Sequence, residues 1–252
     1  MSLLEIDEVS KSFRGLRAVA RASFAVERHT IVALIGPNGA GKTTLFNLIA
    51  GLHRPDGGAI RFNGRSIGGL PPHRVCAAGV GRTFQLVKPF AGMSVLDNAI
   101  VGALRGERTV ASARLRALAV VERLGLAGKA SLTASQLTLA DRRRLEVARA
   151  LATRPSLLLL DEAMAGLRPT ETDELVAVLR DLQRDEGITI LLTEHVMRAV
   201  MALADQIVVL HHGEVIARGE PSAIVRDPAV LDCYLGQDAP LGEDAAVDGA
   251  SS

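Results

Sequence analysis

Ile31-Val32-Ala33-Leu34-Ile35-Gly36-Pro37-Asn38-Gly39-Ala40-Gly41-Lys42-Thr43-Thr44 is the stretch whose reading decides the fold. Its first five residues form a continuous apolar run closed by glycine, as expected of a parallel strand covered on both faces. The next segment has the spacing of a phosphate-binding loop, with glycines that let consecutive backbone N–H groups turn inward around an anion. A helix is expected over residues 42–50, stopped by Gly51, and its N-terminus adds partial positive charge. Lys42 is placed to reach the β- and γ-phosphates of a nucleotide, and Thr43 to offer a hydroxyl to Mg²⁺. Gly36, Pro37, Asn38, Gly39, Ala40, Gly41, Lys42, Thr43 and Thr44 are therefore the candidate nucleotide-binding residues.

Upstream of this stretch, residues 4–9 and 22–26 alternate in character and read as half-buried strands able to pair antiparallel. Downstream, residues 59–62 followed by Asn63-Gly64 read as a strand entering a tight hairpin turn. Residues 95–152 are mostly helical, and Leu145, Val147 and Ala148 of an Arg-rich segment are available to a core face. Strand signals return at 157–160 and 188–192. Between them lies a helix with Leu175, Val178, Leu179 and Leu182 at helical spacing, stopped by Gly187. Strand, helix, strand in that rhythm implies βαβ crossovers and an α/β fold. Residues 206–219 read as a final hairpin turning near His212-Gly213. Residues 238–252 are small and acidic and are expected to form a flexible tail.

Leu157-Leu-Leu-Leu-Asp161-Glu162 places two carboxylates at the exit of an apolar strand, where the open end of an α/β sheet gathers ligands. Beside a phosphate loop the pair belongs to one site. Asp161 is the expected Mg²⁺ partner through water, and Glu162 the group that orients and deprotonates an attacking water.

Composition is permissive rather than directive. The chain has 252 residues, 48% of them apolar, enough to bury a sizeable core as one unit. A formal net charge of +1 calls for no nucleic-acid partner. Cys76 and Cys233 match no metal spacing and read as free buried thiols in a reducing compartment. The N-terminal residues are acidic and lack a signal-peptide core. The longest apolar runs fall far short of the roughly 18 residues a spanning helix needs, so membrane association is expected only through partners.

Phosphate loop, Gln85, Arg-rich helix, Asp161-Glu162 and His195 follow one another in the order and spacing of ABC-type ATPases, which the chain resembles over about residues 3–236. The resemblance implies a P-loop NTPase (RecA-like) ABC cassette over residues 1–237, with an antiparallel β subdomain and a helical subdomain at about 90–154. It implies binding and hydrolysis of ATP with Mg²⁺. Phe13 matches the aromatic that stacks on adenine. Gln85, in Gly81-Arg-Thr-Phe-Gln85, matches the glutamine that touches Mg²⁺ and water and senses a transmembrane partner. His195, in Thr193-Glu-His195, matches the switch histidine that contacts the γ-phosphate. The implied catalytic set is Lys42, Gln85, Glu162 and His195, and the implied metal set is Thr43, Gln85 and Asp161. Ala165-Gly166-Leu167 resembles the loop that passes signals across a dimer of cassettes.

That dimer is implied to be head to tail, each ATP bound by the phosphate loop of one subunit and the signature segment of the other. Leu137-Thr138-Leu139-Ala140-Asp141 aligns with the signature, usually Leu-Ser-Gly-Gly-Gln, and is followed by a well-matched Arg142-Arg-Arg-Leu-Glu-Val-Ala-Arg-Ala-Leu151. Thr138 keeps a hydroxyl and Ala140 a backbone N–H for phosphate. Both glycines are gone, and an anionic Asp141 replaces a neutral amide. Residues 81–90, 161–169 and the ending Cys233-Tyr-Leu-Gly236 look most like the ATPase subunits of branched-chain amino acid importers. The partners implied are a second cassette, identical or paralogous, two transmembrane permease subunits and, indirectly, a solute-binding protein. The location implied is the cytoplasmic face of a bacterial inner membrane. Two alternatives stand beside this reading: a soluble ABC-type ATPase outside transport, and an ATP-binding subunit whose altered signature turns ATP over weakly.

Overall fold

The structure, a computed structural model, describes residues 2–84 and 88–235. Strands β1 (Ser2–Phe13) and β2 (Leu16–Glu27) pair antiparallel, burying Leu4, Ile6, Val9, Val19, Phe24 and Val26 on one side. Period-two alternation puts Leu4 with Ile6 and Phe24 with Val26 on one face, and register shifts around Glu8 and Arg21, both at φ 48°, bring Val9 and Val19 into the same cluster. All five residues of β3 (Ile31–Ile35) are buried, and the phosphate loop leads from it into α1 (Lys42–Ile49). Strand β4 (Gly57–Phe62) pairs with β1 and turns into β5 (Arg65–Ser66) through Asn63 and Gly64 at φ 52° and 71°. Two left-handed residues are what a two-residue hairpin turn requires.

Helix α2 (Pro72–Ala78) and strand β6 (Val80–Arg82) occupy a stretch in which the sequence shows no period. Proline starts the helix, Gly79 at φ 112° ends it, and three residues of strand are too few for alternation to register. Helices α3 (Val95–Ala103), α4 (Val110–Arg123) and α5 (Leu139–Ala152) follow. Strand β7 (Leu157–Asp161) and helix α6 (Pro169–Glu186) come next. Pro169 sits at the first position of α6, and Gly187 closes it at φ 64°. Strand β8 (Thr189–Thr193), helix α7 (Met197–Leu203), the hairpin β9 (Gln206–His211) and β10 (Glu214–Gly219), and helices α8 (Pro221–Ile224) and α9 (Pro228–Leu235) complete the described chain. His212 and Gly213, at φ 47° and 84°, make the hairpin turn where the sequence places it.

The described strands form a four-stranded sheet, β2-β1-β4-β5, and a six-stranded sheet, β10-β9-β3-β8-β7-β6. The first is antiparallel, and in the second only the β10–β9 pair is. Alternate residues of the central strands feed two cores. Ile31, Ala33, Ile35, Leu158, Leu160, Ile190 and Leu192 face the helices, sharing a cluster with Leu145, Val147, Leu151, Leu175 and Leu179. Val32, Leu34, Leu157, Leu159 and Leu191 face α1 and the antiparallel sheet. This two-sided burial is why β3 and β7 read as unbroken apolar runs. Among the described residues no helix is long and apolar enough to cross a membrane. Both cysteines are free, Cys233 buried and Cys76 half-buried.

Candidate active site

β3, β6, β7 and β8 run parallel, so their C-terminal ends open at one edge, where the candidate residues collect. At Gly36 (φ 149°) a Cβ would lie 2.0 Å from the Leu210 carbonyl oxygen, and at Gly41 (φ 104°) 2.3 Å from that of Ala18. Neighbouring backbone thus presses on the loop at both ends and leaves no room for a side chain. Gly213 N–H donates to Ala40 O at 2.9 Å, and Ala20 N–H to Gly213 O at 2.8 Å, pinning the loop to the β9–β10 turn and to β2. Lys42 is 6% exposed, and its Nζ donates to the carbonyls of Gly36 and Pro37 at 2.6 and 3.0 Å. Burial pulls the Lys42 pKa down, opposed by the charges of Glu162 and Asp161. Residues 38–44 line a cleft of 480 Å³ together with Phe13, Glu162 and His195. Gly36 and Pro37 lie buried behind it and serve Lys42 through their carbonyls.

Asp161, 1% exposed, ends β7 held on three sides. Thr193 Oγ1 donates to its Oδ1 at 2.9 Å, Arg82 Nη2 donates to its Oδ2 at 3.0 Å, and its N–H donates to Thr83 Oγ1 at 3.1 Å. Burial lowers the Arg82 pKa and Asp161 opposes the shift. Glu162 takes φ 49°, a left-handed conformation that costs a non-glycine residue energy and tends to occur at functional positions. Its N–H donates to Thr193 O and Oγ1 at 3.0 and 3.3 Å, which offsets the strain. The turn aims the Glu162 carboxylate at His195, whose Nε2 lies 3.2 Å from Glu162 Oε1. The two carboxylates read from sequence therefore occupy distinct settings, Asp161 buried and clamped, Glu162 facing the cleft.

Sequence reasoning missed Arg82, Thr83, the Thr193 hydroxyl and Glu194. Arg82 sits between Gly81 and Thr83 in the segment noted for Gln85 and for its likeness to importer ATPases, and no local pattern singles it out. Gln85 itself lies outside the described residues, as do 236–252 with the acidic tail.

A family model described as ABC transporter matches residues 19–165, spanning the phosphate loop, the signature segment and the carboxylate pair. The chain belongs to the ABC transporter family. A second model, described as branched-chain amino acid ATP-binding cassette transporter, matches residues 214–240 of this ATPase. The high-affinity branched-chain amino acid transport ATP-binding protein of Pseudomonas aeruginosa is 40% identical over 93% of the chain and 98% of the relative. The corresponding protein of Salmonella typhimurium is 41% identical with the same coverage. A solved ATP-binding cassette of an ABC transporter in its ADP conformation superposes with TM-score 0.85 at 28% identity, covering 94% of this chain and 99% of that one.

Of the cassette's remaining candidates, Phe13 lines the cleft, and Thr138 and Ala140 lie outside it. Phe13, 39% exposed at the cleft mouth, meets His53 edge-on at 5.2 Å. Thr138 and Ala140 stand at the start of α5 and are not part of this chain's own cleft. Thr138 Oγ1 accepts the Asp141 N–H at 3.2 Å and donates to Asp141 Oδ2 at 2.8 Å, so it caps the helix. Lys129 Nζ reaches the same Oδ2 at 2.6 Å. Burial alone would raise the Asp141 pKa. The hydrogen bonds from Lys129 and Thr138 and the nearby positive charges outweigh it and hold the carboxyl below its ordinary value. The anion that departs from the signature is thus paired within its own subunit.

Proposed function

We propose that this ATPase is the motor of a membrane importer for branched-chain amino acids or related small polar solutes, working on the cytoplasmic face of a bacterial inner membrane. The observation that carries the hydrolytic half is the 3.2 Å contact of His195 with Glu162 at the rim of the phosphate-loop cleft. The cargo half rests on the 40–41% identity to named branched-chain amino acid transport proteins over 93% of the chain.

In this reading the triphosphate lies on the backbone N–H groups of residues 38–44 and the N-terminus of α1, with adenine against Phe13. Lys42 turns from the Gly36 and Pro37 carbonyls to the β- and γ-phosphates. Thr43, Asp161 and Gln85 are all oxygen donors, the set that suits Mg²⁺, and the shared pull of Asp161 and Glu162 on Lys42 supports one site for the two carboxylates and the lysine. Mg²⁺ held there would neutralise charge on the phosphates. Glu162 orients the attacking water and takes its proton, while His195 contacts the γ-phosphate.

Two cassettes, identical or paralogous, pair head to tail, so that Thr138 and Ala140 of one complete the site of the other. Residues 1–237 act as one ATPase domain with a helical subdomain at about 90–154, followed by the acidic tail. Two permease subunits, served by a solute-binding protein, dock at the apolar groove beside Phe84, Leu52 and Val101. This groove has a volume of 270 Å³ and is bounded by Glu146 and Arg149. Asn98, fully buried in α3, the helix that lends Val101 to the groove, accepts the Phe90 N–H at 2.9 Å and donates to three carbonyls from Phe90 to Ser94.

The test is Glu162→Gln in the complete transporter. ATP binding is expected to persist and the dimer to stay closed, while turnover falls by about two orders of magnitude. Unchanged turnover with the partners held constant would remove Glu162 from this role. Turnover of the wild-type complex that ignores leucine, isoleucine and valine delivered by the solute-binding protein would remove the cargo.

A further inference from the structure

Glu194 immediately precedes the switch histidine, yet its side chain points inward and is 2% exposed. Its Oε1 accepts the backbone N–H of Met164 at 2.8 Å, and its carboxylate also takes the N–H of His195. Met164 belongs to the turn that leaves Glu162, so one side chain bonds both the segment bearing the catalytic carboxylate and the residue bearing the imidazole. The same turn is gripped twice more: Glu162 N–H donates to Thr193, and Arg143 Nη2 of α5 donates to Ala165 O at 3.4 Å. Strand β8 and the signature helix therefore hold four consecutive residues of the turn through three of their backbone groups.

A buried carboxylate is a costly way to fill this space. Burial pushes the Glu194 pKa up to about 7, with the Met164 and His195 N–H groups opposing, Glu162 adding to the rise and Arg143 opposing it. A residue kept for stability would be apolar here. One kept for geometry needs an acceptor, and either protonation state of Glu194 presents one.

We infer that Glu194 is a positioning residue for ATP hydrolysis: by accepting the Met164 N–H it locks the strained turn of Glu162 onto the segment that leaves β8 and bears His195. It acts through Glu162 and His195 and does not itself touch the phosphates. The inference rests on the hydrolytic role given above to Glu162.

The test compares Glu194→Leu, which keeps the bulk and removes the acceptor, with Glu194→Gln, whose amide oxygen can take the same N–H. Both are made in the full-length chain within its transporter. Glu194→Leu is expected to lower kcat at least tenfold with KM for ATP within twofold, and to speed amide exchange across residues 163–167. Glu194→Gln is expected to keep kcat within threefold and retain the protection. Wild-type kcat in Glu194→Leu overturns the inference, as does equal loss in both variants. A rise in KM at constant kcat does the same. Should the leucine variant not fold, a Met164 amide exchanging at the unprotected rate in the wild-type chain overturns it independently. Loss of turnover in Glu162→Gln beside full turnover in Glu194→Leu sinks this inference alone. Full turnover in Glu162→Gln sinks the hydrolytic reading on which it stands.

Discussion

Arg82 Nη2 lies 3.0 Å from Asp161 Oδ2, with the two side chains only 9% and 2% exposed. The guanidinium is shared, since Nη1 donates to Asn47 Oδ1 of α1 at 2.7 Å, so one arginine ties the helix of the phosphate loop to the end of β7. Removing one partner of a buried pair leaves the other charge uncompensated. Arg82→Ala is therefore expected to lower unfolding stability by about 3 kcal/mol, read from urea titration of the full chain. A loss below about 1 kcal/mol would mean that Thr193 and solvent already satisfy Asp161.

Two glycines of the phosphate loop differ in their surroundings. Gly41 cannot gain a Cβ without meeting the Ala18 oxygen at 2.3 Å, whereas at Gly39 (φ 79°) nothing stands within 4 Å. Gly41→Ala is expected to shift the loop and weaken ATP binding at least tenfold in a nucleotide titration. Gly39→Ala carries only the left-handed backbone penalty, about 1–2 kcal/mol in unfolding stability. Equal loss of affinity in both would place the effect in chain flexibility rather than in the contact with β2.

What could be read in advance divides along physical lines. The buried strand, the glycine loop and the carboxylates at Asp161 and Glu162 are local patterns, legible because their chemistry sits in adjacent residues. The long hairpins were legible from alternation and from Asn63-Gly64 and His212-Gly213. Strand β6 was not, since it is three residues long and is a strand only because β7 pairs with it. Arg82 was not, because its partner lies 79 residues away. Nor could sequence foresee that Asp141 would be turned toward Lys129, since that depends on the fold returning residue 129 to the start of α5.

Glu194 has a pH signature in stability. Its pKa is about 7 in the folded chain against an ordinary 4.5. Between those values the unfolded chain has released a proton that the folded chain still holds, so stability falls as pH rises through this window and levels off above it. Each tenfold difference in proton affinity between the two states is worth about 1.4 kcal/mol, so the full loss is about 3 kcal/mol. Glu194→Gln cannot ionise. Its stability relative to wild type is therefore expected to grow from pH 5 to pH 8 in parallel denaturant titrations. Curves that keep a constant separation would contradict the buried, ionising carboxylate.

The signature segment carries its own counter-charge. Asp141 Oδ2 is met by Lys129 at 2.6 Å and by Thr138 at 2.8 Å, and it lies in the first turn of α5, where the helix favours an anion. In the proposed head-to-tail pair this helix end faces the triphosphate of the other subunit, where an unmasked carboxylate would repel it. Lys129→Ala is expected to leave ATP binding by the isolated chain unchanged. It should lower turnover of the assembled transporter severalfold, with partial recovery as ionic strength rises and screens the carboxylate. With Lys129 in place the segment is already competent, so Ala140→Gly combined with Asp141→Gln should gain less than about twofold in the same assay. A large gain in that double variant would mean that Asp141 is felt across the dimer despite its pairing, and that the signature limits turnover.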